Sequence, residues 1–136
     1  MPLMAWSERM SVGVATLDED HKKLVSLLNE LFDGVQAGQG QEAVGKILDR
    51  LIAYTVEHFK REEQFFQQTC YPDAAAHRVE HGNLCKQVLD IQQKYKTGVT
   101  ATLSLEVMNF LKTWLINHIQ GSDKKYGPFL NSKGLQ

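Results

Sequence analysis

All five histidines of this 136-residue chain, His21, His58, His77, His81 and His118, fall in phase with the apolar positions of a helical pattern and none on its polar faces. Apolar residues recurring at alternating spacings of three and four mark the inward stripe of an amphipathic helix. Four segments carry that period, separated by short stretches rich in glycine, proline and polar residues. The first covers about residues 17–35, with Leu17, His21, Leu24, Leu28, Leu31 and Val35 on its stripe. Thr16 and Glu19 fit a capping box at its start, and Asp18 is the alternative N-cap. The second opens after Gly40 and continues to about Thr69, placing Val44, Ile47, Leu48, Leu51, Thr55, His58, Glu62 and Phe65 or Phe66 inward.

Pro72 suits the first turn of the third segment, where its missing N–H costs nothing. The stripe there is His77, His81, Leu84, Val88, Ile91 and Tyr95, ending before Gly98. The fourth runs from about Leu103 to Gln120, with Val107, Met108, Leu111, Trp114, Leu115, His118 and Ile119 inward and Thr102 or Ser104 as its cap. An N-terminal arm precedes the first helix, and a short tail containing Gly127-Pro128-Phe129-Leu130 follows Lys125. Short connections make consecutive helices antiparallel neighbours. The expected fold is therefore all-α, an up-down-up-down four-helix bundle forming one domain over residues 1–136.

Composition narrows the partners. Fifteen basic residues nearly balance sixteen acidic ones, so no net field draws the chain to nucleic acid or anionic lipid. The start lacks a basic n-region and a continuous apolar run, and no apolar stretch approaches the roughly 20 residues that span a bilayer. A soluble, cytoplasmic protein is expected. Cys70 and Cys85 are too few for a disulfide framework. Cys85 lies about 12 residues into the third helix, roughly 18 Å along its axis, so free buried thiols are expected instead of a bridge.

A single histidine on a core stripe is more often a satisfied structural residue than a ligand. Five in phase, joined by two carboxylates, are a different matter, because without a metal they leave many buried polar groups to satisfy. His77 and His81 are four apart, as are His58 and Glu62, so each pair projects from one face on successive turns. His118 and Asp123 are five apart, about 140° on a regular helix, which predicts a local widening or break such as a π-type turn. Gly121 lies between them and would supply backbone freedom.

Five imidazoles and two bridging carboxylates can serve two metal ions and leave one position open. Structural zinc takes four ligands and favours thiolates. A mixed imidazole and carboxylate set inside a bundle suits iron better, with manganese or zinc next. Carboxylate-rich di-iron sites use paired Glu-x-x-His motifs. None occurs in this chain, so the smaller anionic charge favours the ferrous state and reversible oxygen binding over O–O cleavage.

The residues resemble the hemerythrins, in particular their single-domain bacterial members. The match runs through Asp18-x-x-His21-x-x-Leu24, His58-Phe59-x-x-Glu62-Glu63, His77-x-x-x-His81 and His118-Ile119-x-x-x-Asp123, between Trp6 and Tyr126. The resemblance implies an oxo- or hydroxo-bridged pair of irons linked by Glu62 and Asp123. One iron would be held by His77, His81 and His118, the other by His21 and His58. The second would be five-coordinate and bind dioxygen as hydroperoxide.

Leu24, Phe59, Trp114, Leu115 and Ile119 lie within about a turn of these residues and are the expected lining of a dry oxygen pocket. Trp6 is expected to pack over the bundle. Glu63 turns about 100° away from Glu62 and reads as a solvated charge, as do the pairs Lys22-Lys23, Lys60-Arg61 and Lys124-Lys125. The implied function is oxygen storage, buffering or delivery by a monomer that is not an enzyme, with dioxygen as ligand and an oxygen-consuming protein as acceptor. Reduction of nitric oxide or peroxide, and sensing through a separate partner, are the competing functions.

Overall fold

Two four-residue connections set the topology. The computed structural model describes residues 3–98 and 105–136, in which α1 (Ala15–Gln36), α2 (Gln41–Thr69) and α3 (Ala74–Lys96) follow one another across residues 37–40 and 70–73. Such short links force antiparallel neighbours. A fourth helix, α4 (Leu105–Asn117), runs without interruption into a π-helical segment (His118–Asp123) and then α5 (Lys124–Ser132). The result is the expected four-helix bundle, preceded by an arm that contains a short 3-10 turn (Glu8–Met10). None of the described helices is long and apolar enough to cross a membrane.

Glycine and one cysteine shape the first two turns. Gly38 has a positive φ of 69°, and the Gln39 N–H reaches back to the Gly34 carbonyl at 3.1 Å, closing α1 in the manner of a Schellman motif. At the end of α2 the same position is held by Cys70, whose φ of 56° puts a side chain in the left-handed region. The Tyr71 N–H then bonds the Phe66 carbonyl at 3.0 Å. Both cysteines are free, but Cys70 is exposed and Cys85 half-buried, because Cys70 sits on the turn instead of within α2. The expectation of buried thiols is corrected accordingly.

Three helix boundaries differ from their sequence signals. The Thr16–Glu19 capping box does not form, since α1 begins at Ala15 with Val14 before it and no side-chain cap. Asp18 acts on the arm instead, accepting the Val12 N–H at 2.8 Å and the Ser11 hydroxyl at 2.5 Å. Pro72 precedes α3 by two residues and belongs to the turn, because the buried Tyr71 anchors the chain there. The expected tail after Lys125 is helical, with Pro128 inside α5 and with Tyr126 and Leu130 fully buried. The candidate caps Thr102 and Ser104 lie outside the described residues.

The arm and α5 interlock. A Cβ on Gly127 would lie 2.1 Å from the Val12 carbonyl oxygen, so only glycine allows this approach. The Asn131 side-chain amide donates to the Gly13 carbonyl at 2.9 Å. Trp6 packs partly buried against the core, with the Lys22 ammonium 5.4 Å from its ring centre. Leu17, Leu31 and Met108 form fully buried parts of the core. Its apolar stripes give way to histidine and carboxylate where the helices carry the candidate site.

Candidate metal centre

Each helix of the bundle delivers chemistry to one buried point. His21 comes from α1, His58 and Glu62 from α2, His77 and His81 from α3, and His118 and Asp123 from the two ends of the π-helical segment. All seven are at most 6% exposed. The four-residue spacings work as the helical period requires, and the five-residue spacing is met by local widening, since one π turn brings residues five apart onto one face. Gly121 is not what permits it. Its φ is not positive, and a Cβ there would meet nothing within 4 Å.

The two carboxylates divide their oxygens between two groups of histidines. Glu62 Oε1 lies 3.0 Å from His81 Nε2 and 3.7 Å from His77 Nε2, whereas Oε2 lies 3.5 Å from His58 Nε2 and 3.6 Å from His21 Nε2. Asp123 repeats the division. Its Oδ1 is 2.8 Å from His77 Nε2 and 3.1 Å from His118 Nε2, and its Oδ2 is 3.0 Å from His21 Nε2. Glu62, His77, His81, His118 and Asp123 therefore form one group of potential ligand atoms within 4.8 Å of one another, and His21, His58, Glu62 and Asp123 form a second.

Nε2 of all five histidines, Oε1 of Glu62 and both oxygens of Asp123 are buried without a hydrogen-bond partner among the described residues. Orphaned buried polar atoms are costly, and so many aimed at one another mark a place for cations. Electrostatics agree. Burial opposes charge on His21, yet the adjacent Asp123 and Glu62 carboxylates outweigh it and push its pKa up to about 10. The same contest takes His77 up to about 9. Burial would raise Glu62 and Asp123, but the histidines hold both carboxyls well below their usual range. In the metal-free chain protons stand where cations would compensate the two anions. The donor set fits divalent metal of the imidazole-binding type.

Outer contacts differ around the ring. His58 Nδ1 meets Asp20 at 2.8 Å, His118 Nδ1 meets Glu80 at 3.0 Å, and His81 Nδ1 meets Glu63 at 3.2 Å. Carboxylates in this position fix the tautomer and orientation of a ligating imidazole. Glu63 is thus no free solvated charge, and Arg61 no simple solubility residue, because its guanidinium binds Asp20. Tyr126 donates its hydroxyl to Glu62 Oε2 at 2.5 Å. Burial and the neighbouring Glu62 and Asp123 charges raise that phenol well above its usual pKa. Sequence periodicity gave no sign of Asp20, Glu80 or Tyr126, nor of Tyr54, whose hydroxyl donates to Asp20 at 2.8 Å. The only available signal was a carboxylate one residue from a histidine on the stripe.

An apolar cavity of about 50 Å³ adjoins His21, His58, His118 and Asp123. Leu24, Phe59, Trp114 and Leu115 line it, together with aliphatic residues further along the bundle such as Leu28 and Val88. Ile119 is fully buried but lies outside that lining. The helix changes winding at His118, so the four-residue relation that put Ile119 beside Leu115 fails there. Trp114 stacks on His118 at 4.6 Å between ring centres, and Phe59 on His81 at 3.8 Å.

Residues 12–130 match the family model described as Hemerythrin HHE cation binding domain. The chain belongs to the hemerythrin family. It is 39% identical to the bacteriohemerythrin of Methylococcus capsulatus over 133 residues, covering 97% of this chain and all of that one. It is 32% identical to the bacteriohemerythrin of Stenotrophomonas maltophilia, covering 93% and 80% respectively. A crystal structure of wild-type hemerythrin superposes with a TM-score of 0.86 at 39% identity, over 94% of this chain and 98% of that one. The hemerythrin fold and a buried histidine and carboxylate cluster able to hold metal thus occur together in this chain.

Proposed function

We propose that this hemerythrin binds dioxygen reversibly at a pair of irons held by His21, His58, Glu62, His77, His81, His118 and Asp123, with an oxo or hydroxo group completing the bridge. The observation that carries the proposal is the division of each carboxylate between two groups of histidines. Glu62 and Asp123 would each bridge. Three histidines complete one half, and two leave the other half a position open toward the apolar cavity. When bound, two ferrous ions supply the pair of electrons that dioxygen takes up and gives back.

The chain's own residues provide the rest. His21 and His58 present Nε2 to the open half, and Leu24, Phe59, Trp114 and Leu115 keep water from it, since cavities lined by such side chains stay dry. Tyr126 steadies Glu62 through its hydroxyl. Asp20, Glu63 and Glu80 orient His58, His81 and His118. A binding protein is the reading we favour, since the cavity beside the cluster is lined mainly by apolar side chains. We further read residues 1–136 as one domain acting as a cytoplasmic monomer, with an oxygen-consuming protein as acceptor.

The test is to load the chain with iron, reduce it without air, then add and withdraw oxygen while following the visible spectrum. A charge-transfer band that appears and vanishes over repeated cycles is expected. One irreversible oxidation would instead favour reduction of nitric oxide or peroxide, or redox sensing.

A further inference from the structure

Around the seven candidate ligands, Asp20 differs from the other outer carboxylates. Its side chain is only 6% exposed, against 32% for Glu63 and 47% for Glu80, the other two carboxylates that meet a histidine Nδ1. It accepts hydrogen bonds from three sources: the Tyr54 hydroxyl at 2.8 Å, His58 Nδ1 at 2.8 Å and the Arg61 guanidinium at 2.5 and 2.6 Å. Because an ionised carboxylate can only accept, the His58 contact requires a proton on Nδ1. That leaves Nε2 as the His58 nitrogen that faces the cluster, 3.5 Å from Glu62.

The partner histidine of the same half lacks such support. His21 Nδ1 is buried with no hydrogen-bond partner among the described residues. The anionic influence on this half from outside the cluster therefore enters through His58. Because Asp20 is buried, its field is screened less by water than that of the half-exposed Glu63 and Glu80.

We propose that Asp20, clamped by Tyr54 and Arg61, is a positioning residue that locks the tautomer of His58 and, as a buried anion, favours the oxidised state of the metal in the two-histidine half. An imidazole that donates its outer N–H to a carboxylate is a stronger donor to metal, and a nearby negative charge stabilises the higher positive charge of the oxidised ion. The inference rests on the di-iron reading. It adds that this chain sets the oxygen-facing half apart by charge as well as by ligand number.

Two variants separate charge from packing. Asp20→Asn keeps an oxygen acceptor for His58 Nδ1–H and removes the charge. Arg61→Gln removes the opposing charge and keeps a donor for Asp20. In samples of equal iron content, Asp20→Asn is expected to raise the midpoint potential by about 59 mV, a tenfold change in a one-electron equilibrium, and Arg61→Gln to lower it. An unchanged potential in Asp20→Asn, or both variants shifting in the same direction as loosened packing would make them, overturns the proposal.

Cobalt(II) titration of the metal-free chain gives an iron-independent measure. Asp20→Asn is expected to weaken one of two binding steps roughly ten- to a hundredfold, the usual effect of losing an outer partner, and to spare the other. If the wild-type chain takes up no iron pair, the proposed function fails and this titration alone decides the role of Asp20. Asp20→Asn affinities that match the wild type at both steps, or that fall equally at both, would then overturn it.

Discussion

The two halves of the cluster share the same two carboxylates but stand in different surroundings. In the three-histidine group His81 and His118 are backed by Glu63 and Glu80, carboxylates in contact with solvent, with Ser122 donating to Glu80 at 2.9 Å. His21 and His58 border the apolar cavity, which His118 also reaches, and His58 is backed by the buried Asp20. Identical side chains are thereby given a wet outer layer on one side and a dry, buried one on the other. What an imidazole does in this bundle is decided less by its own identity than by the atoms behind it.

Removing a shared oxygen pair should have the largest effect. Asp123→Ala is expected to abolish binding of both metals and His81→Ala to weaken only one, measured as metal per chain after desalting. If metal binding is linked to folding, saturation at a thousandfold excess over Kd contributes about 4 kcal/mol. That is roughly 15 °C in Tm for a chain of this size, and Asp123→Ala should lose all of it. Equal metal loss in the two variants would erase the distinction between shared and private ligands.

The metal-free chain should next reveal its stand-in protons. His21 and His77 have folded pKa values of about 10 and 9, above the ordinary 6.5. Their stabilising contribution is fully present below pH 6.5 and is lost as pH rises through 9 and 10. Glu62 and Asp123 are depressed, so theirs is present above the usual carboxylate range and lost in strong acid. Denaturant titrations from pH 6 to 10 should show the apo chain losing on the order of a few kcal/mol while the loaded chain, holding cations instead of protons, changes less. Parallel curves would contradict the exchange of protons for metal.

A smaller contrast concerns water. Leu115→Asn on the dry side is expected to speed autoxidation about tenfold, equivalent to about 1.4 kcal/mol in a barrier. Glu80→Gln on the wet side should change it far less. Equal rates in Leu115→Asn and the wild type would remove Leu115 from the barrier to water.

Smallest is the turn that carries α3, and with it His77 and His81, into the three-histidine half. Cys70→Gly relieves a side chain in the left-handed region and should stabilise the fold by about 1 kcal/mol, read as a shift of the urea midpoint without change in oxygen cycling. Altered cycling would show that this strain reaches the site.

Much of this arrangement was legible in the sequence because helical periodicity is regular. The stripes put His21, His58, His77, His81 and His118 inside, and the five-residue gap from His118 to Asp123 foretold the π turn that the structure contains. Contacts made between helices were not legible. Asp20 finds His58 and Arg61 across 38 and 41 residues of sequence, and Tyr126 finds Glu62 across 64. No local pattern encodes such distances. Gly127 and Pro128 read as a tail because both are weak helix formers, yet close packing of Gly127 against Val12 and burial of Tyr126 and Leu130 outweigh propensity.

The central claim is that one chain holds two metals in unequal halves. Mössbauer spectroscopy of the iron-loaded, fully reduced chain tests it most directly. Two ferrous quadrupole doublets of equal area and different splitting, from two irons per chain, are the predicted result, whereas a single doublet or one iron per chain would contradict it.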